Sequence, residues 1–190
     1  MEAKPLRTTT IPVKTITYIG LTTALMCILG PMSIPIGLVP ISLGNLAVFL
    51  VAILLGGKWG TISVLTYLLL GAVGMPVFSG YTGGLGKLLG PTGGYLIAFL
   101  FTPAIIAFFG NLWKKQVYMT FIGMLVSNCV IYLLGSAWLA YQANMTMGAA
   151  FATGVIPFVL LDFIKTVAAF VVAIPVKKTL EKSNLGITCK

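Results

Sequence analysis

Histidine is absent from this chain, and only three of its 190 residues are acidic. A membrane enzyme would need a general base, paired carboxylates or an activated nucleophile, and the sequence contains no such group of residues. A proton-coupled carrier would need a series of titratable groups, which is missing as well. We therefore predict that the protein is not an enzyme and holds neither a cofactor nor a metal ion.

Cysteine is scarce, with Cys27, Cys129 and Cys189 spread along the chain and no CxxC motif. An odd number at these spacings predicts neither a disulfide framework nor a metal site. A phosphate-binding loop is also missing. In GGLGK (83–87) the lysine is followed by Leu88, and no glycine stands five residues before Gly86. Direct use of ATP by this chain is therefore not expected.

Charge is rare as well, because only 8% of the residues are charged whereas 58% are hydrophobic, with a mean hydropathy of +1.06. This composition is typical of an integral membrane protein. A bilayer needs roughly 17–25 residues of helix, and six stretches approach this length: 14–30, 38–55, 59–73, 93–112, 117–141 and 156–175. The N-terminal segment has no A-x-A-type cleavage site, so we interpret it as the first span. We predict one all-α domain, 1–190, with six transmembrane helices and no internal repeat.

The net charge of +9 is distributed along the chain in a way that argues against nucleic-acid binding. If six helices alternate in direction, ten cations fall on one side of the membrane: Lys4, Arg7, Lys14, Lys58, Lys114, Lys115, Lys177, Lys178, Lys182 and Lys190. Lys87 alone falls in a loop on the other side. The positive-inside rule then places both termini in the cytoplasm.

Two predicted outer loops carry most of the remaining information. The first, 31–39, is short, uncharged and stiffened by two prolines. The second, 75–92, contains five glycines, which allow left-handed turns and close approach of the backbone to a ligand. Apolar residues interleave the glycines, which favours a packed loop over a flexible linker. A simple connecting loop is the alternative.

Asp162 and Lys165 stand inside an otherwise apolar helical run, 155–176. A charge at this depth costs roughly 2.5–3.5 kcal/mol on insertion scales, so it usually faces a cavity or a partner. Residues three apart share one face of a helix. The pair therefore predicts a recognition site for a polar molecule or, alternatively, a structural ion pair. Among the neutral polar groups, Asn45 and Asn128 are the better ligand candidates, because amides are not expected to satisfy themselves.

The run YLLLGAVGMPVFSGYTGGLGKLLGPTGGY (67–95), the segment VPISLGNL (39–46) and the D-x-x-K of Asp162 and Lys165 together resemble the BioY family. These proteins are the biotin-specific S components of energy-coupling factor (ECF) vitamin transporters. The resemblance covers essentially the whole chain. It implies the S-component fold and high-affinity capture of biotin from the outside. It further implies a transmembrane coupling protein and two cytoplasmic ATPases as partners, in a bacterial plasma membrane.

The resemblance also implies roles for individual residues. Asp162 would accept hydrogen bonds from the ureido N–H groups of biotin, and Lys165 would donate to the ureido oxygen. Many relatives have glutamine at the position of Gly44, where this chain has Asn45 next to it. The remaining predicted contacts with the ligand are Asn45, Phe78, Ser79, Tyr81, Gly84, Lys87, Tyr95, Asn128 and Phe158. Lys87 is the only predicted outer cation that could meet the carboxylate, and the backbone N–H groups of the 75–92 loop are the alternative.

The resemblance implies a docking surface for the coupling protein on the cytoplasm-reaching faces of the first three spans. This surface includes the small-residue pair Gly20 and Ala24 in the first span, where S components typically have Ala-xxx-Ala. Two alternatives stay open. A stand-alone carrier or channel for a small polar metabolite would need a polar path through the whole bilayer, whereas the polar residues are concentrated in the outer half. A close analogue or precursor of biotin is the other possible ligand.

Overall fold

Helices dominate the computed structural model, which describes residues 12–35, 39–112 and 117–183. In chain order the elements are α1 (Val13–Leu29), β1 (Ser33–Ile34), β2 (Ile41–Ser42), α2 (Gly44–Ala72), α3 (Leu85–Leu88), α4 (Gly93–Ala98), α5 (Thr102–Leu112), α6 (Val117–Gln142), α7 (Met147–Gly154) and α8 (Ile156–Lys182). Four stretches are long and apolar enough to cross a membrane: α2, Gly93–Asn111 (α4 with most of α5), α6 and α8. With the shorter apolar helix α1, they confirm the prediction of an all-α membrane protein.

Some predicted features lie outside the described residues. They are five of the ten cations on the predicted cytoplasmic side (Lys4, Arg7, Lys114, Lys115 and Lys190), together with Cys189 and residues 36–38 of the first outer loop.

Helix α2 reverses its direction at Gly56, whose backbone is not helical (φ 74°, ψ −169°). A Cβ built on Gly60 would lie only 3.6 Å from the Cα of Ala52, whereas eight residues of continuous helix span about 12 Å. The segments 44–55 and 57–72 are therefore antiparallel neighbours. This reversal lies at the break that the sequence predicted between the second and third spans.

Two predicted boundaries are wrong. The helix of the second span begins at Gly44, not near residue 38, because Ile41 and Ser42 pair with Ile34 and Ser33 in a short antiparallel hairpin. The last helix continues through Pro175 to Lys182. A proline removes one backbone donor, whereas ending the helix at that point would leave several backbone groups without intrahelical partners.

Helix α7 was not predicted, because its eight residues are too few for a span. The side chain of Thr146 caps it by accepting a hydrogen bond from the backbone N–H of Ala149 (3.3 Å). The helix then joins α8 directly through Val155. This short element forms one wall of the site described below.

The interior has two apolar clusters. The larger surrounds the hairpin, α4 and the first turns of α8, and it includes Tyr67, Phe78, Tyr95 and Phe158. The smaller lies deeper along α2, α5, α6 and α8 and consists of Phe49, Ala52, Ile53, Ile106, Met124, Ala169 and Ala173. Polar side chains of the site lie between the two clusters along α8.

Candidate functional site

The two intramembrane charges form an ion pair on α8, with Lys165 Nζ 3.0 Å from Asp162 Oδ1. Both side chains are only 11% exposed. Asp162 lies six residues from the start of α8, about 9 Å along the helix axis. A buried charge needs a partner and further hydrogen bonds to offset its desolvation, and the surrounding elements provide them.

The hairpin supplies the second partner of Lys165, whose Nζ donates to the carbonyl oxygen of Ser42 (2.8 Å). Leu43 N–H donates to Met32 O in the ladder (3.0 Å), so Ser42, one residue away, occupies a non-hydrogen-bonded position opposite Ser33. At such positions the backbone groups point away from the partner strand. The carbonyl of Ser42 is therefore free to receive the ammonium group.

Helix α6 supplies the second partner of Asp162. The hydroxyl of Tyr132 donates to Asp162 Oδ2 (2.8 Å), while Lys165 occupies Oδ1. Each carboxylate oxygen has one protein donor and, because an oxygen can accept two hydrogen bonds, one further acceptor position. The carboxylate is thus held in place without being saturated.

A chain of hydrogen bonds beside the ion pair has a defined direction. The hydroxyl of Thr166 donates to the backbone carbonyl of Asp162 (2.7 Å) and therefore accepts from Asn128 Nδ2 (2.9 Å). Asn128 Oδ1 then accepts from Asn45 Nδ2 (2.9 Å). Asn45 Oδ1 is left buried without a partner among the described residues. The two amides thus bind each other, and one strong acceptor remains unpaired among the described residues.

The ion pair, Tyr132 and Asn45 line a cavity of about 70 Å³. Its lining residues are Val39, Pro40, Ser42, Asn45, Tyr95, Phe99, Ile131, Tyr132, Gly154, Phe158, Asp162 and Lys165. A second cavity of about 50 Å³ shares Val39, Pro40, Ser42, Tyr95 and Phe99 with it and adds Gly30, Gly44, Tyr67, Ser79, Thr92 and Leu96. We call these the head cavity and the tail cavity. The five shared residues make the two cavities neighbours, and Ser79 and Thr92 place the tail cavity on the side of the 75–92 loop.

Tyr95 lies on the wall of both cavities, and two glycines make room for it. A Cβ on Gly135 would lie 2.2 Å from the tyrosine ring, and one on Gly154 would lie 2.2 Å from its hydroxyl. That hydroxyl donates to the carbonyl oxygen of Gly154 (3.2 Å). Helices α6 and α7 therefore hold Tyr95 in a single position against the ligand space.

The structure brings many of the predicted site residues together. Asn45, Tyr95, Phe158, Asp162 and Lys165 line the head cavity, and Ser79 lines the tail cavity. Asn128 lies directly behind Asn45. Gly20 and Ala24 are exposed on α1, as a docking surface requires.

Five predicted contacts do not line either cavity, and Asn128, which lies behind Asn45, is one of them. Phe78 is fully buried in the core, where its ring meets that of Tyr67 edge to face at 5.6 Å. Tyr81 is 69% exposed. Gly84 and Lys87 lie in the 75–92 loop, the latter on α3. Their roles as ligand contacts stay predictions.

Several residues of the site were missed. Tyr132 was not predicted, although its position four residues after Asn128 places it on the same helical face. Ser42 contributes through its backbone carbonyl, which no side-chain pattern reveals. Thr92 and Thr166 gave no separate signal, because isolated threonines are common in membrane helices and loops.

The chain matches the sequence profile of the BioY family over residues 2–182. The chain belongs to the BioY family. Members of this family named biotin transporter BioY include one from Thermotoga maritima, 40% identical over 84% of this chain and 93% of its own. The biotin transporter BioY2 of Lactococcus lactis is 35% identical over 91% and 95% of the two chains.

The fold of this BioY-family protein also has a close match among solved structures. The crystal structure of the S-component for biotin from an ECF-type ABC transporter superposes with a TM-score of 0.81 and 37% identity. The match covers 87% of this chain and 92% of the other. BioY-family proteins named in these comparisons are transporters, and the S-component fold extends to the present chain.

Proposed function

We propose that this protein captures biotin from the outside and acts as the S component of an ECF-type ABC importer. The observation that carries the proposal is the set of free hydrogen-bonding positions in the head cavity. Asn45 Oδ1 has no partner among the described residues, and Asp162 has acceptor positions left. Lys165 uses two of its three N–H donors on Asp162 and Ser42, which leaves one.

Two acceptors and one donor complement a cyclic urea. The ureido ring of biotin has two N–H donors and one carbonyl acceptor, so each group can find a partner. A carboxylate or phosphate, which only accepts, would leave the two acceptors facing negative oxygens. The apolar part of the bicyclic ring would contact the aromatic and aliphatic lining, which includes Phe99, Ile131 and Phe158. The names of the relatives support the same ligand.

For the membrane topology, we infer six crossing segments in one domain, 1–190, with both termini in the cytoplasm of a bacterial cell. The reversal at Gly56 supports this count, because it divides α2 into two antiparallel helices. Lys14 at the start of α1, Lys58 beside the reversal and three lysines at the end of α8 would then share the cytoplasmic side.

For energy coupling, we propose that a transmembrane coupling protein and two cytoplasmic ATPases complete the importer. The chain has no phosphate-binding loop of its own. The solved S-component belongs to an ECF-type ABC transporter, which supports such partners. We assign the exposed pair Gly20 and Ala24 to the docking surface, since small residues allow backbones to approach closely.

The apolar cluster beneath the site disfavours a stand-alone channel. Ala169 and Ala173 lie seven and eleven residues beyond Asp162 on α8, and they pack against Phe49, Ile53 and Met124. A polar path across the membrane would have to pass through these buried side chains. The polar groups of the site end above this cluster.

Reconstitution into liposomes tests the proposal. We expect the purified protein to bind biotin, and biotin to accumulate in liposomes only when the coupling protein, both ATPases and ATP are present. A matched preparation with ADP is the control. Uptake by this chain alone would establish a stand-alone carrier. Absence of biotin binding, with binding of a biotin precursor instead, would reassign the ligand.

A further inference from the structure

The tail cavity differs in its electrostatics from the head cavity. Its polar lining residues are Ser42, Tyr67, Ser79 and Thr92, all of them neutral. Charged side chains occur only in the head cavity among the described lining residues, where Asp162 and Lys165 are already paired. Residues 36–38, which the structure does not describe, are Ile, Gly and Leu and contribute no charge.

Lys87 is the cation that the sequence predicted for the carboxylate of the ligand. It lies on α3 and lines neither cavity. A ligand that fills both cavities would therefore place its tail among hydroxyl groups and not against an ammonium group.

Two of these hydroxyls are available for a ligand. Tyr67 is already engaged, since its hydroxyl donates to Val77 O (2.9 Å). The hydroxyls of Ser79 and Thr92 have no hydrogen bond to any part of the chain that the structure describes, although Thr92 is 92% buried. A hydroxyl donates to a carboxylate or to an amide carbonyl, and it also accepts from an amide N–H. The hydroxyls of Ser79 and Thr92 can therefore bind a neutral polar group as well as a charged one.

We propose that Ser79 and Thr92 bind the tail of the ligand, and that the protein consequently accepts uncharged derivatives of biotin, such as its carboxamide, as well as the acid. This inference rests on the proposed function, because it assumes that the ureido ring occupies the head cavity. The carboxamide has the same shape as the carboxylate, so it needs no additional room.

Calorimetric titration of the full-length protein with biotin and with biotinamide tests this. We expect the two dissociation constants to agree within about tenfold, because neither ligand meets a cation at its tail. A loss of about a hundredfold or more for the amide would overturn the inference. Failure of biotin itself to bind would instead overturn the proposed function, so the two results are distinguishable.

Three variants locate the contact. Lys87→Met should leave the affinity for biotin within about twofold of wild type. A loss above tenfold would show instead that Lys87 binds the carboxylate of the ligand. The double variant Ser79→Ala/Thr92→Val should weaken both ligands, by about tenfold or more for biotin and by less for the amide, since a hydroxyl donates a stronger hydrogen bond to a carboxylate than to an amide carbonyl. Thr153→Val on α7 is the control, because its hydroxyl bonds only to carbonyls of its own helix. Wild-type affinity of the double variant for both ligands would overturn the inference.

Discussion

Asp162 is held by donors from two directions, Lys165 on its own helix and Tyr132 on α6. The arrangement fixes the orientation of the carboxylate and leaves one acceptor position on each oxygen. Asn45 Oδ1 adds a buried acceptor that has no partner among the described residues. The site therefore has unmet hydrogen-bonding capacity, and a ligand with matching donors gains more than it would from a self-satisfied network.

Replacing Asp162 by asparagine is the direct test of this role. We expect Asp162→Asn to weaken biotin binding more than tenfold, or about 1.4 kcal/mol or more, because an amide is a weaker acceptor and presents a donor to a donor. Isothermal titration calorimetry measures the change. Glu181→Gln, an exposed acidic residue near the end of the same helix, is the control. A folded Asp162→Asn protein with wild-type affinity would make the ion pair purely structural.

The glycines around Tyr95 give a second prediction. Gly154→Ala would place a methyl group 2.2 Å from the tyrosine hydroxyl, so the ring must move into the ligand space. We expect at least about tenfold weaker biotin binding. Gly148→Ala, on the same helix with nothing within 4 Å of the added carbon, should bind normally. Equal affinities for the two variants would show that Tyr95 can shift without consequence.

At the scale of elements, the sequence predicted long apolar helices well and short irregular pieces poorly. The fifth span was predicted at 117–141 and observed as Val117–Gln142, because hydrophobic length is a strong signal. The hairpin was missed because its strands have two residues each, and pairing depends on contacts that local composition does not encode. The ion pair could be predicted because charged residues are rare in this sequence. The role of Thr92 could not be predicted, because its position depends on how the 75–92 loop folds.

The reversal in α2 gives a prediction at this scale. Gly56 adopts φ 74° and ψ −169°, a region essentially restricted to glycine. We expect Gly56→Ala to lower stability by about 1–3 kcal/mol, read as a lower unfolding temperature in detergent. The control is Gly20→Ala, since Gly20 is helical and has open space around it. An unchanged unfolding temperature would mean that the reversal tolerates an ordinary residue.

At the scale of the whole molecule, burial is uneven: α2 is the most enclosed of the four long apolar stretches and α8 the least. Lipid accounts for exposed apolar residues on α8. On α1, however, the exposed face includes the small residues Gly20 and Ala24 beside Leu21 and Ile28. This is the kind of surface against which another helix can pack closely.

Tryptophan at these positions tests whether this surface binds the partner. Because Gly20 has no neighbour within 4 Å, we expect Gly20→Trp and Ala24→Trp to fold and to bind biotin with an affinity close to wild type. Copurification with the coupling protein and ATP-driven uptake should be lost. Val172→Trp, at an exposed position on α8, is the control. Combined loss of biotin binding and docking would place α1 inside the subunit, and unchanged uptake would exclude this face.

The pairing of Asp162 with Lys165 has an electrical consequence. The two formal charges sum to zero, so the pair adds no net charge on which the membrane potential could act. An elementary charge moved through the full potential corresponds to about 2.3 kcal/mol per 100 mV. Biotin brings one negative charge of its own, which an interior-negative potential opposes, whereas its carboxamide brings none. Uptake of the acid therefore has to draw its energy from a source other than the potential, and the voltage dependence of transport should differ between the two ligands by one charge.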